Sequence, residues 1–446
     1  MIDSDYVFIG SGAASSFAIA WLTKNTNATI TVLEAGESTF NRFSKDDFFH
    51  QDSRNSISSS MMAIQTGGSL NLWSGRLGIL DESDFDNNHM YSEDFFSSYQ
   101  DYLFWVSEVL NDHFDFDIVE LENQTSISTK LEPHVSKWRT PPLNFKNQLL
   151  EWSESGRIQL IEETEVLKII EEPNLIQVNT TQNTLHVAKS STIFLGAGTL
   201  GNWKIMKTSG YIEENYLSQF SYHPKATIGS VTLNNVMDSS FLCDKRYGSD
   251  NTRLGFKLSE VFKKEISINS NSYVQIESAL ASGIISVMER FQLKYSLENV
   301  GLKRFMENLG MYVFSIVNRI NLGRSRFNLK MYIDNNPSDE ALTFQNGKFD
   351  FIPYKLQLKK DIALKKFKEA LGNIGVNLAI KNSDSLDCNL HSHLIGGLTN
   401  LDNDKTPKNL VILGLGKFPR CGNINPTLSL AAYSYKKIKQ LHDDSK

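Results

Sequence analysis

Within its first 34 residues the chain passes through a short apolar run (DYVFI, 5–9), two glycines, an Ala- and Ser-rich stretch (AASSFAIAWL) and a second apolar run (TITVLE, 29–34). That order predicts a β-turn-α-β unit of about 30 residues, the length of one nucleotide-binding half. The turn reads Gly10-x-Gly12-x-x-Ser15. Gly10 permits a tight bend. Gly12, with Ala13 and Ala14 behind it, lets backbone N–H groups and the positive end of a helix approach a pyrophosphate. Ser15 stands where a third glycine is usual, and serine is small enough to keep helix and strand close. Glu34, with Ala35 after it, ends the second strand about 20 residues on, placed to accept hydrogen bonds from an adenosine ribose. A dinucleotide site at the N-terminus is the first expectation.

A second glycine pattern occurs at Gly196-Ala197-Gly198-Thr199-Leu200-Gly201. A separate NAD site there would need a further strand ending in Asp or Glu about 20 residues later. The next stretch is instead NWKIMKTSGYIEENYLSQF, a short helix and a loop. The structural reading is therefore preferred: this turn brings the sheet back against the first nucleotide half.

A chain of 446 residues is too long for one ordinary core and predicts two lobes. Hydrophobic residues make up 40% and charged residues 22%, which excludes a disordered chain. The net charge of −6 and the absence of a basic cluster speak against nucleic acid and anionic membrane as partners. Three scattered cysteines, Cys243, Cys388 and Cys421, indicate neither a disulfide framework nor a zinc site, so no metal is expected. Without a signal-like N-terminus or a long apolar run, no membrane span and a cytoplasmic location are expected.

The fold class expected is α/β (α+β overall), a Rossmann-like nucleotide domain interrupted by a lobe built on an antiparallel sheet. Residues 1–85, 151–225 and 384–446 form the nucleotide domain. Residues 86–150, acidic and aromatic, form a covering segment. Residues 226–383 form the substrate lobe, with strand-like ATIGSVTL and SRFNLKMYI and a basic amphipathic helix, LKKDIALKKFKEALGNI, whose wet face carries no membrane role.

Four segments in order resemble the glucose-methanol-choline (GMC) oxidoreductases, a family of FAD-dependent alcohol oxidases and dehydrogenases. VFIGSGAASSFAIAWL…VLEAGES resembles its FAD fingerprint. GGSLNLWSGRL (67–77) looks like its flavin-approaching glycine segment. FLGAGTLGNWKIMKTSG (194–210) is similar to the unit that closes its FAD domain. HLIGG (393–397) with FPRCGNINPTLSLAA (418–432) resembles its catalytic segments. His223-Pro224 matches a His-Pro often found at the domain junction, and Val166 with Thr164 and Glu165 suits the adenine-side strand. The resemblance implies FAD contacts at Gly10, Gly12, Ala13, Ala14, Glu34, Ala35, Gly67, Gly68, Asn71, Trp73, Val166, Ala197, Gly198, Gly414, Pro426 and Thr427. Two departures are informative. Gly414 replaces the Asp usual before the Phe-Pro, a form found in some sugar-oxidising branches. Leu72 occupies the position where some members attach flavin through a histidine, so the FAD expected here is non-covalent.

Removing a hydride from an alcohol carbon requires a base within about 2.6–3.2 Å of the hydroxyl, and imidazole, with a pKa near neutrality, suits that role. Of nine histidines, His391 and His393 lie in a glycine-flanked, strand-like context near the C-terminal segment. The residues alone leave a satisfied core or loop histidine as the ordinary reading. The resemblance implies His393 as the base, with His391 its competitor. Asn425 and Pro426 open a helix, and capping chemistry by itself explains both. The resemblance adds that Asn425 donates to the substrate oxygen and that the helix start favours negative charge on the flavin edge. Trp73 is either a core aromatic or a wall of the flavin cavity. Asn71 either faces the flavin or makes a turn. Arg76 and Arg420 are read at least equally as solvated surface residues. The leading expectation is an FAD-dependent oxidoreductase acting on the CH–OH group of a small-molecule alcohol, including sugars. The alternatives are a non-redox lyase and a non-catalytic flavoprotein on the same fold.

Overall fold

The structure, a computed structural model, describes residues 1–58, 61–72, 76–78, 105, 130–138, 143–213, 216, 218–233, 245–247, 250–268, 272–278, 327–335, 342–358, 361–380, 385–388, 390, 393–399, 401, 406–420, 422 and 425–444. Trp73, His391, Cys243, Cys421 and most of the 86–150 segment lie outside the described residues.

A five-stranded parallel sheet organises the two ends of the chain. Its spatial order is Leu410–Ile412, Thr192–Leu195, Tyr6–Ile9, Ile30–Leu33, Gln159–Ile161. Every pairing is parallel. In chain order the first strand is central, the second and third lie to one side, and the fourth and fifth to the other. This is the strand order of a Rossmann half-sheet, and it reverses direction between the first and fourth strands. Both faces are covered, which is why the strands are short continuous apolar runs with no alternation. Tyr6, Phe8 and Phe194 point to one core, with Ile30 and Val32. Val7, Ile9, Ile193 and Leu195 point to the other.

The Ala13–Asn25 helix is buried along its length from Ala14 to Leu22, as expected of a helix enclosed on every side. It lies between the sheet and the C-terminal helix Thr427–Asp444, with Trp21 edge-on to Tyr435 at 5.9 Å between ring centroids. A three-stranded antiparallel meander, Val166–Glu171, Leu175–Thr180 and Thr184–Ala188, follows the third parallel strand. The helix Gly198–Thr208 docks onto it: Thr208 Oγ1 donates to the Leu167 carbonyl at 2.7 Å.

The interrupting lobe is a large antiparallel sheet in the order Val376–Ile380, Lys225–Leu233, Phe327–Ile333, Ser272–Ser278, Asp250–Leu258, Leu131–Trp138, Arg76–Leu77. One face packs Ile228, Val231, Leu329 and Met331 against Phe367 and Leu371 of the amphipathic helix Ile362–Asn373. The 86–150 segment thus divides at its C-terminal end. Leu131–Trp138 is an inner strand of this lobe, while the helix Lys146–Glu154 leads into the parallel strand Gln159–Ile161.

Candidate functional site

At a topological switch point, ligands of open α/β sheets lie beyond the carboxyl ends of the strands. Here those ends are Gly10 and Gly196. Gly10 adopts φ +90, and a Cβ there would meet Ala197 Cα and Gly196 O at 2.8 Å, so side chains are excluded by both geometry and space. Ser15 faces Gly196 closely: a Cβ on Gly196 would stand 2.0 Å from Ser15 Oγ. The Gly196–Gly201 pattern returns the fourth strand against the first, and the next strand to join that edge is Leu410–Ile412.

Gly12 caps the Ala13–Asn25 helix with no side-chain hydrogen bond, and the first turn carries no acidic residue. The helix Gly198–Thr208, with Ala197 at its cap, likewise has no side-chain cap and no early acid. A Cβ on Gly198 would meet nothing within 4 Å. Both helices therefore begin beside the switch point with no acidic side chain against their positive dipole ends, an arrangement that favours a phosphate.

Glu34 ends the second strand and is buried. Ser11 N–H and Ser11 Oγ donate to its Oε2 at 2.8 and 2.6 Å, and Gly36 N–H donates to Oε1 at 2.9 Å. Three of about four acceptor positions are thereby used, and Oε1 retains one. Burial pushes the Glu34 carboxyl above the usual carboxylate range, against the lowering effect of these donors. The chain after Glu34 is tightly surrounded. A Cβ on Gly36 would lie 2.3 Å from Ile64 O, Ala35 O accepts from Arg42 Nη1 at 2.5 Å, and Glu34 O accepts from Thr164 N–H at 2.7 Å. Val166, buried, opens the meander beside this end of the sheet.

The glycine segment at 67–71 folds onto the same turn. Gly67 N–H donates to Ser11 Oγ at 2.9 Å, so the Ser11 hydroxyl bridges the Gly67 amide and the Glu34 carboxylate. Thr66 Oγ1 donates to Glu162 at the end of the third strand. Gly67 and Gly68 take φ +85 and +59, and a Cβ on Gly68 would sit 2.6 Å from Gly12 Cα. Asn71 Nδ2 donates to Thr66 O and Gly68 O, both at 2.9 Å. Both Nδ2 hydrogens of Asn71 are thereby used within its own turn.

His393 directly precedes Leu394, whose carbonyl is held by Thr199 at the start of the Gly198–Thr208 helix. The histidine is half-buried, with φ +60, a left-handed conformation that costs a side-chain-bearing residue on the order of 1–3 kcal/mol and concentrates at functional sites. The residues after it are over-determined. Leu394 O accepts from Thr199 Oγ1 at 2.6 Å. Ile395–Gly396 pairs antiparallel with Phe220–Ser221, and Gly397 N–H donates to Gln219 O at 2.7 Å. The ring that Gly397 approaches is Phe220, whose Cε1 would be 2.3 Å from an added Cβ. The glycines of HLIGG thus serve a protein ring and a backbone pairing. His223 stands edge-on to His393, with ring centroids 6.2 Å apart and planes at 87°.

Gly414, at φ +116, lies two residues after the fifth strand. Asn202 donates to the Leu413 carbonyl and accepts from Ala197 N–H, both at 2.7 Å, tying that strand end to the Ala197 turn. Asn425 is half-buried, and Pro426 and Thr427 are buried at the start of the last helix, where Pro426 O accepts from Leu430 N–H.

Arg420 corrects an expectation. It is mostly buried and forms an ion pair with Asp334, which has no exposure at all. Burial raises the Asp334 carboxyl while the adjacent guanidinium lowers it. Sequence reasoning also missed Ser11, Asn202 and Asn335, each a short polar residue that spans two segments distant in sequence.

No group of acidic, His and Cys residues able to hold a metal occurs among the described residues. Nor does any described helix reach the length and apolarity needed to cross a membrane.

No family model matches the chain, and no curated protein matches it. Among solved structures, the crystal structure of pyridoxine 4-oxidase from Mesorbium loti is similar, with a TM-score of 0.53 at 11% sequence identity, over 98% of this chain and 99% of that one. The likeness runs end to end, and it shows that this chain has an α/β fold in which a Rossmann-like parallel sheet is interrupted by an antiparallel lobe.

Proposed function

We propose that this protein is an FAD-dependent oxidoreductase that takes a hydride from the CH–OH group of an alcohol, as the sequence resemblance to the GMC family implies. The observation that supports the reading is the build of the first turn: the Gly12 helix start and the buried Glu34 meet through Ser11 beside the strand ends, and Thr199, at the start of the second helix, holds Leu394 directly after the strained His393. The structural likeness to an oxidase supports it. Residues 1–85, 151–225 and 384–446 would form the FAD domain and 226–383 the substrate lobe.

The residues present fit non-covalent FAD. Gly10, Gly12, Ala13 and Ala14 leave a cradle with nothing larger than a methyl group for the pyrophosphate, and Ala197 and Gly198 add a second helix start. Glu34 keeps one acceptor position for a ribose hydroxyl, with Ala35 and Val166 on the adenine side. Gly67, Gly68 and Asn71, and Gly414, Pro426 and Thr427, would hold the flavin, and the sequence resemblance adds Trp73 to them. When bound, the flavin would supply the hydride acceptor. His393 accepts the substrate hydroxyl proton, and its left-handed backbone fixes where the imidazole stands. Asn425 donates to the same oxygen and orients the carbon.

The test is anaerobic. A panel of sugars, polyols and aromatic alcohols is mixed with the reconstituted protein, and loss of flavin absorbance is followed. The reading requires that one alcohol bleach the flavin and that His393→Ala slow this by about 10²-fold or more. Bleaching at the native rate in His393→Ala removes the histidine from its role. A protein that binds no FAD removes the reading itself.

A further inference from the structure

Asp334 and Asn335 directly follow the strand Phe327–Ile333 of the antiparallel lobe, and both are buried. Arg420 Nε donates to Asp334 Oδ2 at 2.9 Å, the Arg420 Nη2 donates to the same oxygen, and Gly422 N–H donates to Oδ1 at 3.0 Å. The carboxylate thus holds Arg420 and Gly422, which shortly precede Asn425 in sequence. Asn335 grips the other half. Its Oδ1 accepts from Ser221 Oγ at 2.8 Å and Tyr222 N–H at 3.1 Å, and its backbone carbonyl accepts from Ser221 Oγ at 3.0 Å. Ser221 pairs in register with Ile395, two residues after His393, and Tyr222 precedes His223, whose ring faces His393. The same strand end is fixed to the junction by Ile333 N–H, which donates to Pro224 O at 2.9 Å.

We infer that Asp334-Asn335 is a positioning bracket. One residue holds the Asn425 loop through Arg420 and Gly422, the other holds the His393 strand through Ser221 and Tyr222, and together they set the spacing of the two groups from the antiparallel lobe. The inference rests on the proposed roles of His393 and Asn425. Its physical basis is that Arg420 and Gly422 precede Asn425 in sequence and Ser221 pairs with Ile395 beside His393, and both sets of contacts end on the adjacent residues Asp334 and Asn335. A guanidinium that donates two charge-assisted hydrogen bonds to one buried carboxylate oxygen is a strong polar anchor. Shared attachment to adjacent residues ties the two segments into one constellation.

The experiment compares wild type, Arg420→Lys, Arg420→Met, and the double variant Asp334→Leu/Arg420→Met, which replaces the buried pair with apolar side chains and so guards against simple misfolding. All are reconstituted with FAD, and bound flavin is confirmed by absorbance. With the alcohol found in the wild-type screen, the inference expects flavin reduction at saturating substrate to fall about 10²-fold in Arg420→Met and in the double variant. Half-saturation should change little, and Arg420→Lys should retain part of the rate. Guanidinium ion added to Arg420→Met should restore reduction toward the wild-type rate. A second readout needs no turnover: the flavin midpoint potential should fall in Arg420→Met as the last helix start loses its fixed place, and rise again with guanidinium. Native reduction rates in the FAD-loaded double variant overturn the bracket. So does an Arg420→Met defect confined to half-saturation. A wild-type protein whose flavin no alcohol reduces, with the Arg420→Met potential lowered all the same, would overturn the proposed function and leave the bracket standing.

Discussion

Ser11→Ala tests the nucleotide turn most directly, because one hydroxyl joins three segments. The substitution keeps the side chain small and the backbone N–H bond to Glu34 intact. It removes the 2.6 Å donation to Glu34 Oε2 and the 2.9 Å acceptance from Gly67 N–H. An amide left unsatisfied in a buried position costs about 1–3 kcal/mol, and a hydrogen bond to a charged group is worth about 1.5–3 kcal/mol. The two share one oxygen and are not additive, so a total of about 3 kcal/mol is expected. At roughly 2.1 cal/mol/K per residue, a chain of this length unfolds with an entropy near 0.9 kcal/mol/K, and the midpoint should fall by about 3 °C. The size of the fall should depend on pH. Burial already raises the Glu34 carboxyl, and the Ser11 hydroxyl is the largest influence holding it down. In Ser11→Ala it rises further, so the folded protein binds a proton that the unfolded chain releases. Stability from such a group is present below the unfolded carboxylate range and is lost as pH rises through the folded value. The gap between Ser11→Ala and wild type should therefore be widest near pH ~7 and should narrow as pH falls toward ~4. Thermal unfolding of the apo protein, followed by circular dichroism at both pH values, measures it. A gap that stays constant with pH, or no gap at neutral pH, refutes the bridging role of the hydroxyl.

Ser15→Ala should be neutral or raise the midpoint by up to about 1 °C, since the Ser15 hydroxyl is buried without a partner among the described residues and alanine is the better helix former; a fall of several degrees would show that the hydroxyl is bonded. Gly397→Ala must place a Cβ at φ +82 within 2.3 Å of the Phe220 ring, and a cost of about 2–4 kcal/mol is expected from strain and overlap; a near-native unfolding curve contradicts it. Gly12→Asp puts a carboxylate against both uncapped helix starts and should lower FAD affinity by more than about 10²-fold while the apo protein remains folded; unchanged affinity by fluorescence titration would place the pyrophosphate elsewhere.

The parallel half was legible because its signals are local. A four-residue apolar run, a glycine that must bend and a helix of small residues are each dictated within a dozen positions, and the runs at 5–9, 29–34 and 192–196 form the central strands of the sheet. The helix within 358–374 is readable for the same reason, through its helical period. Polar contact at a distance leaves no such local trace. Arg420 looks like a surface residue because nothing near it in sequence is acidic. Its partner, Asp334, lies 86 positions away at a strand end in another lobe. Asn202 resembles any helix asparagine until its amide is seen to bridge Ala197 and Leu413. Gly396 and Gly397 are sites of close approach, as their pairing in the sequence suggests, but the approached groups are Gln219 and Phe220, which no local pattern announces.

The strain at His393 and the position of its anchors belong together. A left-handed residue relaxes unless its surroundings forbid it. Here the restraint comes from both lobes: Thr199 of the parallel half holds Leu394, while the strand Phe220–Ser221, itself tied to Asn335 of the antiparallel lobe, holds Ile395 and Gly396. The histidine is thus fixed at the seam between the two sheets. A group at a seam can face a nucleotide held by one lobe and a substrate held by the other, and its geometry then depends on the lobes being docked. On this reasoning Asn335→Ala, which frees the seam strand without touching His393, should relax the histidine and slow flavin reduction while leaving the Gly10–Glu34 turn and FAD affinity unaffected. An equal loss of FAD binding and reduction would mean that Asn335 supports the fold at large, and the seam would carry no special meaning for the histidine.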